Sequence, residues 1–147
     1  MQARDIMTPE PVFVTPHDSI AKAAELMRDY DIGIVPVVDS RETMRLQGVI
    51  TDRDIAIRCV AESHSPSCEV SDHMTSSGID AVQPDMNVEQ VIVRMERDRI
   101  RRIPVVDDRN RLLGIIAQAD LATKVGPTEP LLVEELLQQV SERRVRH

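Results

Sequence analysis

The chain has 147 residues, a net charge of −7 and 41% apolar residues, enough to build a core of Val, Ile, Leu, Met and Ala. It has no Trp, one Phe (Phe13) and one Tyr (Tyr30), so it lacks the aromatic platforms on which single-stranded nucleic acid stacks. Its acidity excludes generic binding to nucleic acid or anionic lipid, and no stretch reaches the roughly 20 apolar residues of a membrane span.

The opening "MQARDIMTPEP" is charged and carries no signal-peptide pattern, and two cysteines make no disulfide framework, so the expected location is cytoplasmic. "VFV" (12–14) predicts a short strand, followed by a proline and a helix cap at Asp18 or Ser19. Ile20, Ala23, Ala24 and Met27 then follow the i, i+3, i+4, i+7 spacing of an amphipathic helix. "IVPVV" and "LQGVIT" predict two strands joined by a polar turn, and the proline inside the first removes a ladder donor, as at an edge or a bulge. A helix is predicted to begin near Asp52.

The next stretch, "CVAESHSPSCEVSDH", gathers Cys59, His64, Cys68 and His73. These are zinc-ligand types, but C-x4-H-x3-C-x4-H matches no common zinc motif, and Cys59 reads as a small buried hydrophobe. No metal ligand is assigned, and no stoichiometric zinc is expected.

The chain then repeats itself. Pro16, Met27, Ile32 and the run Pro36–Asp39 recur 68 positions later as Pro84, Met95, Ile100 and Pro104–Asp107. After a two-residue deletion, Leu46, Gly48, Ile50, Asp54 and Ala56 match Leu112, Gly114, Ile116, Asp120 and Ala122. Upstream, Asp5, Met7 and Thr8 match Asp72, Met74 and Thr75. The second copy therefore predicts a strand at "IDAV" (79–82), a cap at Asn87, a helical stripe of Val88, Val91, Ile92 and Met95, strands at "RIPVV" and "LLGIIA", and a helix from Gln118. Each copy is a β-α-β-β-α unit that buries its sheet poorly alone, so a doubled α/β (α+β) unit sharing a core explains the repetition. The division is 1–66, 67–126 and a C-terminal helix over 127–147, with Thr128 as its cap and Val133, Leu136, Leu137 and Val140 on one face. That face either covers the core or meets a partner.

"GVITDRD" carries the chemistry. Gly48 permits close approach to the backbone, Thr51 offers a hydroxyl, and Asp54 in the first helical turn can accept bonds from two ribose hydroxyls. Thr followed by Asp at a helix start is equally an ordinary cap. Copy two keeps Gly114 and Asp120 but has Ala117 in place of the hydroxyl, and places Arg101 and Arg102 where copy one has Gly33 and Ile34. Arginine binds phosphate with two parallel bonds, although the neighbouring Arg94, Arg97, Arg99, Arg109 and Arg111 would equally make a solvated face.

The repeated unit, the "PVVD" strand and "G-h-h-T-x-x-D" (h apolar) resemble the cystathionine-β-synthase (CBS) domain. The tandem resembles a CBS pair, or Bateman module, packed about a pseudo-two-fold, and in particular small bacterial stand-alone pairs of the hypoxic response protein type. The resemblance implies a regulatory module that binds AMP, ADP, ATP or S-adenosylmethionine in clefts between the repeats as a ligand, not a cofactor. It implies a ligand set of Gly48, Thr51, Asp54, Gly114, Asp120, Arg101 and Arg102, with Thr8 and Thr75 at the openings of the copies. It further implies a homodimer, for which Ala56, Ile57, Val60 and Ala61 are candidate contacts, and an unidentified protein partner. No catalytic constellation is present, so no enzyme is expected. Two other readings stay open: a scaffold with vestigial sites, and a metal- or redox-responsive protein acting through Cys59, His64, Cys68 and His73.

Overall fold

Strand β1 (Thr8–Pro9) does not join the copy that contains it in sequence; it pairs antiparallel with a strand of the second copy. The computed structural model describes residues 1–127, 130, 131, 133, 134, 137 and 138. The chain forms two compact units that cut across the sequence copies. One comprises Met1–Pro11, Asp80–Asp108 and Leu113–His147; the other comprises Val12–Ile79 and Arg109–Leu112. The division at 66/67 belongs to the sequence, whereas compactness divides the chain elsewhere.

In the first unit, helix α1 (Ala3–Ile6) leads into β1, which pairs Thr8 with Ile115 and Pro9 with Gly114. The sheet order is β1-β5-β4, with β4 at Arg102–Val106 and β5 at Leu112–Ala117. Helix α4 (Val88–Asp98) begins at Asn87, whose Oδ1 accepts the Glu89 N–H at 2.8 Å, and buries all four predicted stripe residues. Ile103, Val105 and Ile116 meet that stripe, and Leu121 of α5 (Gln118–Lys124) joins the same core. The predicted C-terminal helix falls partly outside the described residues, which include neither Thr128, Leu136 nor Val140. Val133 is buried in this core, whereas Leu131 and Leu137 are exposed.

The second unit repeats the design with fewer strands. Strands β2 (Ile34–Val38) and β3 (Leu46–Thr51) form an antiparallel pair with a register shift at Val37/Val38, the irregularity that Pro36 foreshadowed. Helix α2 (Ile20–Tyr30) is capped by Ser19, whose Oγ accepts the Lys22 N–H at 3.1 Å. Asp18 instead accepts the Thr15 N–H at 2.8 Å. Helices α2 and α4 both end on a left-handed residue, Asp31 and Arg99, each with φ of 53°. Residues Arg109–Leu112 return to this unit, where Leu46 N–H reaches the Asn110 carbonyl at 3.0 Å and Leu112 N–H the Met44 carbonyl at 2.8 Å.

Three expectations need correction. The strands expected at 12–14 and 79–82 are single parallel bridges, Val14 to Val37 and Val82 to Val105, because Pro16 and Pro84 lie two residues on and lack the donor a ladder needs. Ala24 is exposed, and Leu26 and Met27 share its place against the core. The helix after β3 is α-helical only over Asp52–Asp54 (α3) and continues as a π-helix over Ile55–Val60.

Candidate functional site

The site residues lie at two equivalent strand-to-helix junctions, one in each unit. In the second unit, β3 ends at Thr51, and Thr51 and Asp54 cap the helix reciprocally. Asp54 N–H donates to Thr51 Oγ1 and Thr51 N–H donates to Asp54 Oδ2, both at 3.0 Å. This satisfies two of the donors that a helix start leaves free. Thr75 comes in from outside the junction: its hydroxyl lies 3.3 Å from both Asp54 oxygens, and Arg58 Nε lies 3.8 Å from Oδ1. Asp54 is consequently only 9% exposed. The Thr51 hydroxyl accepts in this cap and keeps its own proton for another acceptor.

Thr75 is held by backbone. Its N–H donates to the Val49 carbonyl at 2.8 Å, and its own carbonyl accepts the Val49 N–H at 2.9 Å. This pairing explains Gly48, where a Cβ would lie 2.6 Å from the Thr75 carbonyl oxygen. The close approach that the glycine permits is thus made by the chain itself. Gly114 is equivalent: a Cβ there would meet Met7 Sδ at 2.6 Å and the Thr8 carbonyl oxygen at 2.8 Å.

In the first unit, β5 ends at Ala117, which has no side-chain acceptor for the helix start, so only half the box survives. Ala117 N–H donates to Asp120 Oδ2 at 2.9 Å. Asp120 is partly exposed, and among the described residues no second donor meets its carboxylate. Thr8, the counterpart of Thr75, pairs with Ile115 but is exposed and does not bond Asp120.

Each junction is also tied to the start of the neighbouring strand. Gln118 N–H donates to the Arg101 carbonyl at 2.8 Å, and Asp52 N–H to the Gly33 carbonyl at 2.9 Å. The first unit thereby brings Arg101 and Arg102 beside the α5 start that carries Asp120. The second unit has Gly33 there, with Asp52 Oδ2 only 3.0 Å from where its Cβ would be. At this point the first unit has two arginines in the chain and the second has Gly33 and Ile34, with Asp52 beside Gly33. Among the nearby arginines, Arg94 and Arg97 bond Asp80 at 2.8 and 3.1 Å. Burial and the hydrogen bond it donates to Asp98 push the Asp80 carboxyl up, against the pull of Arg94.

The sequence reading placed Thr51 and Asp54 at one junction and Asp120 at the other but missed what Thr75 does. The signal was available in the match of Asp5-x-Met7-Thr8 to Asp72-x-Met74-Thr75, which shows a lead segment shared by both copies.

Two units of one β-α design, each with a strand-to-helix junction behind a lead segment, define a tandem regulatory domain pair. The CBS domain matches twice, at residues 3–60 and 70–126, and the chain belongs to the CBS domain family as a tandem pair. It is 38% identical over 119 residues to the CBS domain-containing protein YhcV of Bacillus subtilis, covering 81% of each chain. It is 34% identical over 120 residues to hypoxic response protein 1 of Mycobacterium tuberculosis, covering 82% of each. The crystal structure of Hypoxic Response Protein I with two coordinated zinc ions superposes with a TM-score of 0.75 at 33% identity, over 84% of this chain and 98% of that one. The CBS pair of MJ0100, in complex with 5-methylthioadenosine and S-adenosyl-L-methionine, gives 0.74 at 29% identity, over 88% and 98%. CBSX2 in complex with AMP gives 0.72 at 27% identity, over 84% and 95%. Among the described residues no helix is long and apolar enough to cross a membrane.

Proposed function

We propose that this CBS pair is a cytoplasmic sensor of an adenosine-type ligand, of the AMP, ADP, ATP or S-adenosylmethionine class, and that it signals to a partner protein. The observation that carries this reading is the difference between the junctions. Among the described residues one Asp120 oxygen meets no donor, in the unit whose sequence carries Arg101 and Arg102, whereas Asp54 is enclosed by Thr51, Thr75 and Arg58. A ribose needs two acceptor positions, and a phosphate needs cations. In this proposal Asp120 accepts the ribose hydroxyls, and Arg101 and Arg102 take the phosphates. A second, weaker site uses Asp54 and the Thr51 hydroxyl. That CBS pairs similar to this chain were crystallised with AMP, and with S-adenosylmethionine and methylthioadenosine, supports the ligand class.

A ligand that binds only the folded state stabilises it by about 2.7 kcal/mol at a hundredfold excess over its dissociation constant. The melting temperature should then rise by roughly 5–10 °C. Asp120→Asn should abolish most of that rise, and Arg102→Ala should weaken ATP and ADP more than adenosine. An unchanged melting curve at millimolar AMP, ADP, ATP and S-adenosylmethionine would overturn the sensor. It would leave the scaffold reading, which the enclosed Asp54 and the missing hydroxyl at Ala117 favour. We also propose self-association as a homodimer through the π-helix, where Ile57 and Val60 are 46% and 66% exposed. A light-scattering mass of one chain at tens of micromolar protein would overturn that.

A further inference from the structure

The segment after β3 contains a feature that ligand sensing does not use. His73 is 4% exposed, yet its ring nitrogen Nε2 faces no carboxylate; it faces Nδ1 of the exposed His64 at 3.4 Å. The ring centroids lie 5.1 Å apart with planes tilted by 34°. A nitrogen-to-acceptor distance of 3.4 Å is long for a hydrogen bond, which prefers about 2.7–3.2 Å. It is close to the separation of two ligand nitrogens on a tetrahedral ion. With zinc–nitrogen bonds of about 2.0–2.1 Å, that edge is about 3.3–3.4 Å.

The surroundings hold the pair in place. His73 ends the 3-10 turn Val70–Asp72, with its N–H on the Val70 carbonyl at 3.0 Å. His64 hangs from the π-helix, its N–H donating to the Cys59 carbonyl at 2.9 Å. The Cys59 thiol donates to the His64 and Ser65 carbonyls, at 3.6 and 3.7 Å, so its proton is committed to backbone oxygen. Among the described residues no three His, Cys, Asp or Glu side chains are grouped to hold a metal ion. The protein's contribution is therefore two imidazoles, with the remaining positions left to water or an anion. Glu62, Glu69 and Asp72 make the segment acidic, while Arg58, whose Nη1 lies 3.5 Å from the His73 carbonyl, is the one cation set against the ion in this stretch.

We propose that His64 and His73 form an open two-histidine site for a divalent ion of the zinc, nickel and copper class, the ions that imidazole prefers over magnesium or calcium. This reverses the expectation from spacing alone, because the pairing depends on a π-helix and a 3-10 turn that the spacing does not reveal.

The test uses the full chain and zinc chloride. Calorimetry should show one ion per chain, with magnesium silent. On NMR the imidazole signals of His64 and His73 should shift together while those of His17 stay still. His64→Ala, at an exposed position, should weaken zinc binding by more than about tenfold. The Cys59→Ser/Cys68→Ser double variant should bind as the parent does. The proposal fails if millimolar zinc gives no heat, if His17 responds with the pair, if His64→Ala binds like the parent, or if the serine variant loses binding. Those last two outcomes would assign the ion to the thiols or to the surface.

Discussion

The two junctions share a backbone and differ in what surrounds the carboxylate. At Thr51–Asp54 the carboxylate meets the Thr51 amide, the Thr75 hydroxyl and Arg58, while the Thr51 hydroxyl takes the Asp54 amide. At Ala117–Asp120 the chain supplies one amide, and the arginines stand nearby. A buried carboxylate is stabilising only when its oxygens are satisfied, so the first arrangement builds structure and the second leaves binding capacity. In the proposed reading, the two junctions divide two roles that a single one would have to combine.

The largest expected effect tests whether each lead segment holds the junction of its own unit. Gly48→Ala places a methyl group 2.6 Å from the Thr75 carbonyl oxygen, which accepts the Val49 N–H, and should destabilise by about 2–3 kcal/mol in urea denaturation. Gly114→Ala should cost a similar amount, about 2–3 kcal/mol, because its methyl group would meet the Thr8 carbonyl oxygen at 2.8 Å as well as Met7 Sδ at 2.6 Å. Next, Asp54→Ala should cost about 2 kcal/mol, and Asp120→Ala about 1 kcal/mol or less, since it loses a single cap bond. Equal costs would erase the comparison. Ala117→Thr, which completes the second box, should stabilise by about 1 kcal/mol and raise the melting temperature by about 3 °C.

The smallest effect is in acid. Burial raises the Asp18 carboxyl, but the Thr15 amide and Lys22 outweigh it and hold the group below the usual carboxylate range. A depressed folded value contributes stability that is present above the unfolded value, near pH 4, and is lost as pH falls through the folded one. The equivalent residue in copy two is Met86, so this acid dependence belongs to one unit only. Asp18→Asn should lower stability near neutrality, where the parent's contribution is fully present, and flatten the further loss below about pH 4.

Much of this was legible in the sequence. The spacing of Val88, Val91, Ile92 and Met95 marked a helix face, and "LQGVIT" and "LLGIIA" marked strands whose bounds the structure keeps. The capping alternative for Thr51 and Asp54 was also legible, because the S/T-x-x-D/E spacing states it directly. What could not be read was long-range. Nothing local to Thr75 shows that it sits on Asp54, 21 residues away, or that β1 joins the sheet of the other copy. The π-helix was equally hidden, since an i to i+5 shift leaves no periodic trace in six residues. The short strands failed for a local reason that was visible, the prolines two residues beyond Val14 and Val82.

The central claim is that one junction is structural and the other binds the ligand. Calorimetric titration of AMP and ATP into the parent, Asp54→Asn and Asp120→Asn tests it most directly. The account predicts that Asp120→Asn loses tenfold or more in affinity, about 1.4 kcal/mol, at an unchanged melting temperature. It predicts that Asp54→Asn melts lower yet binds within about threefold of the parent, roughly 0.7 kcal/mol. Loss of affinity in Asp54→Asn with full binding in Asp120→Asn would contradict it.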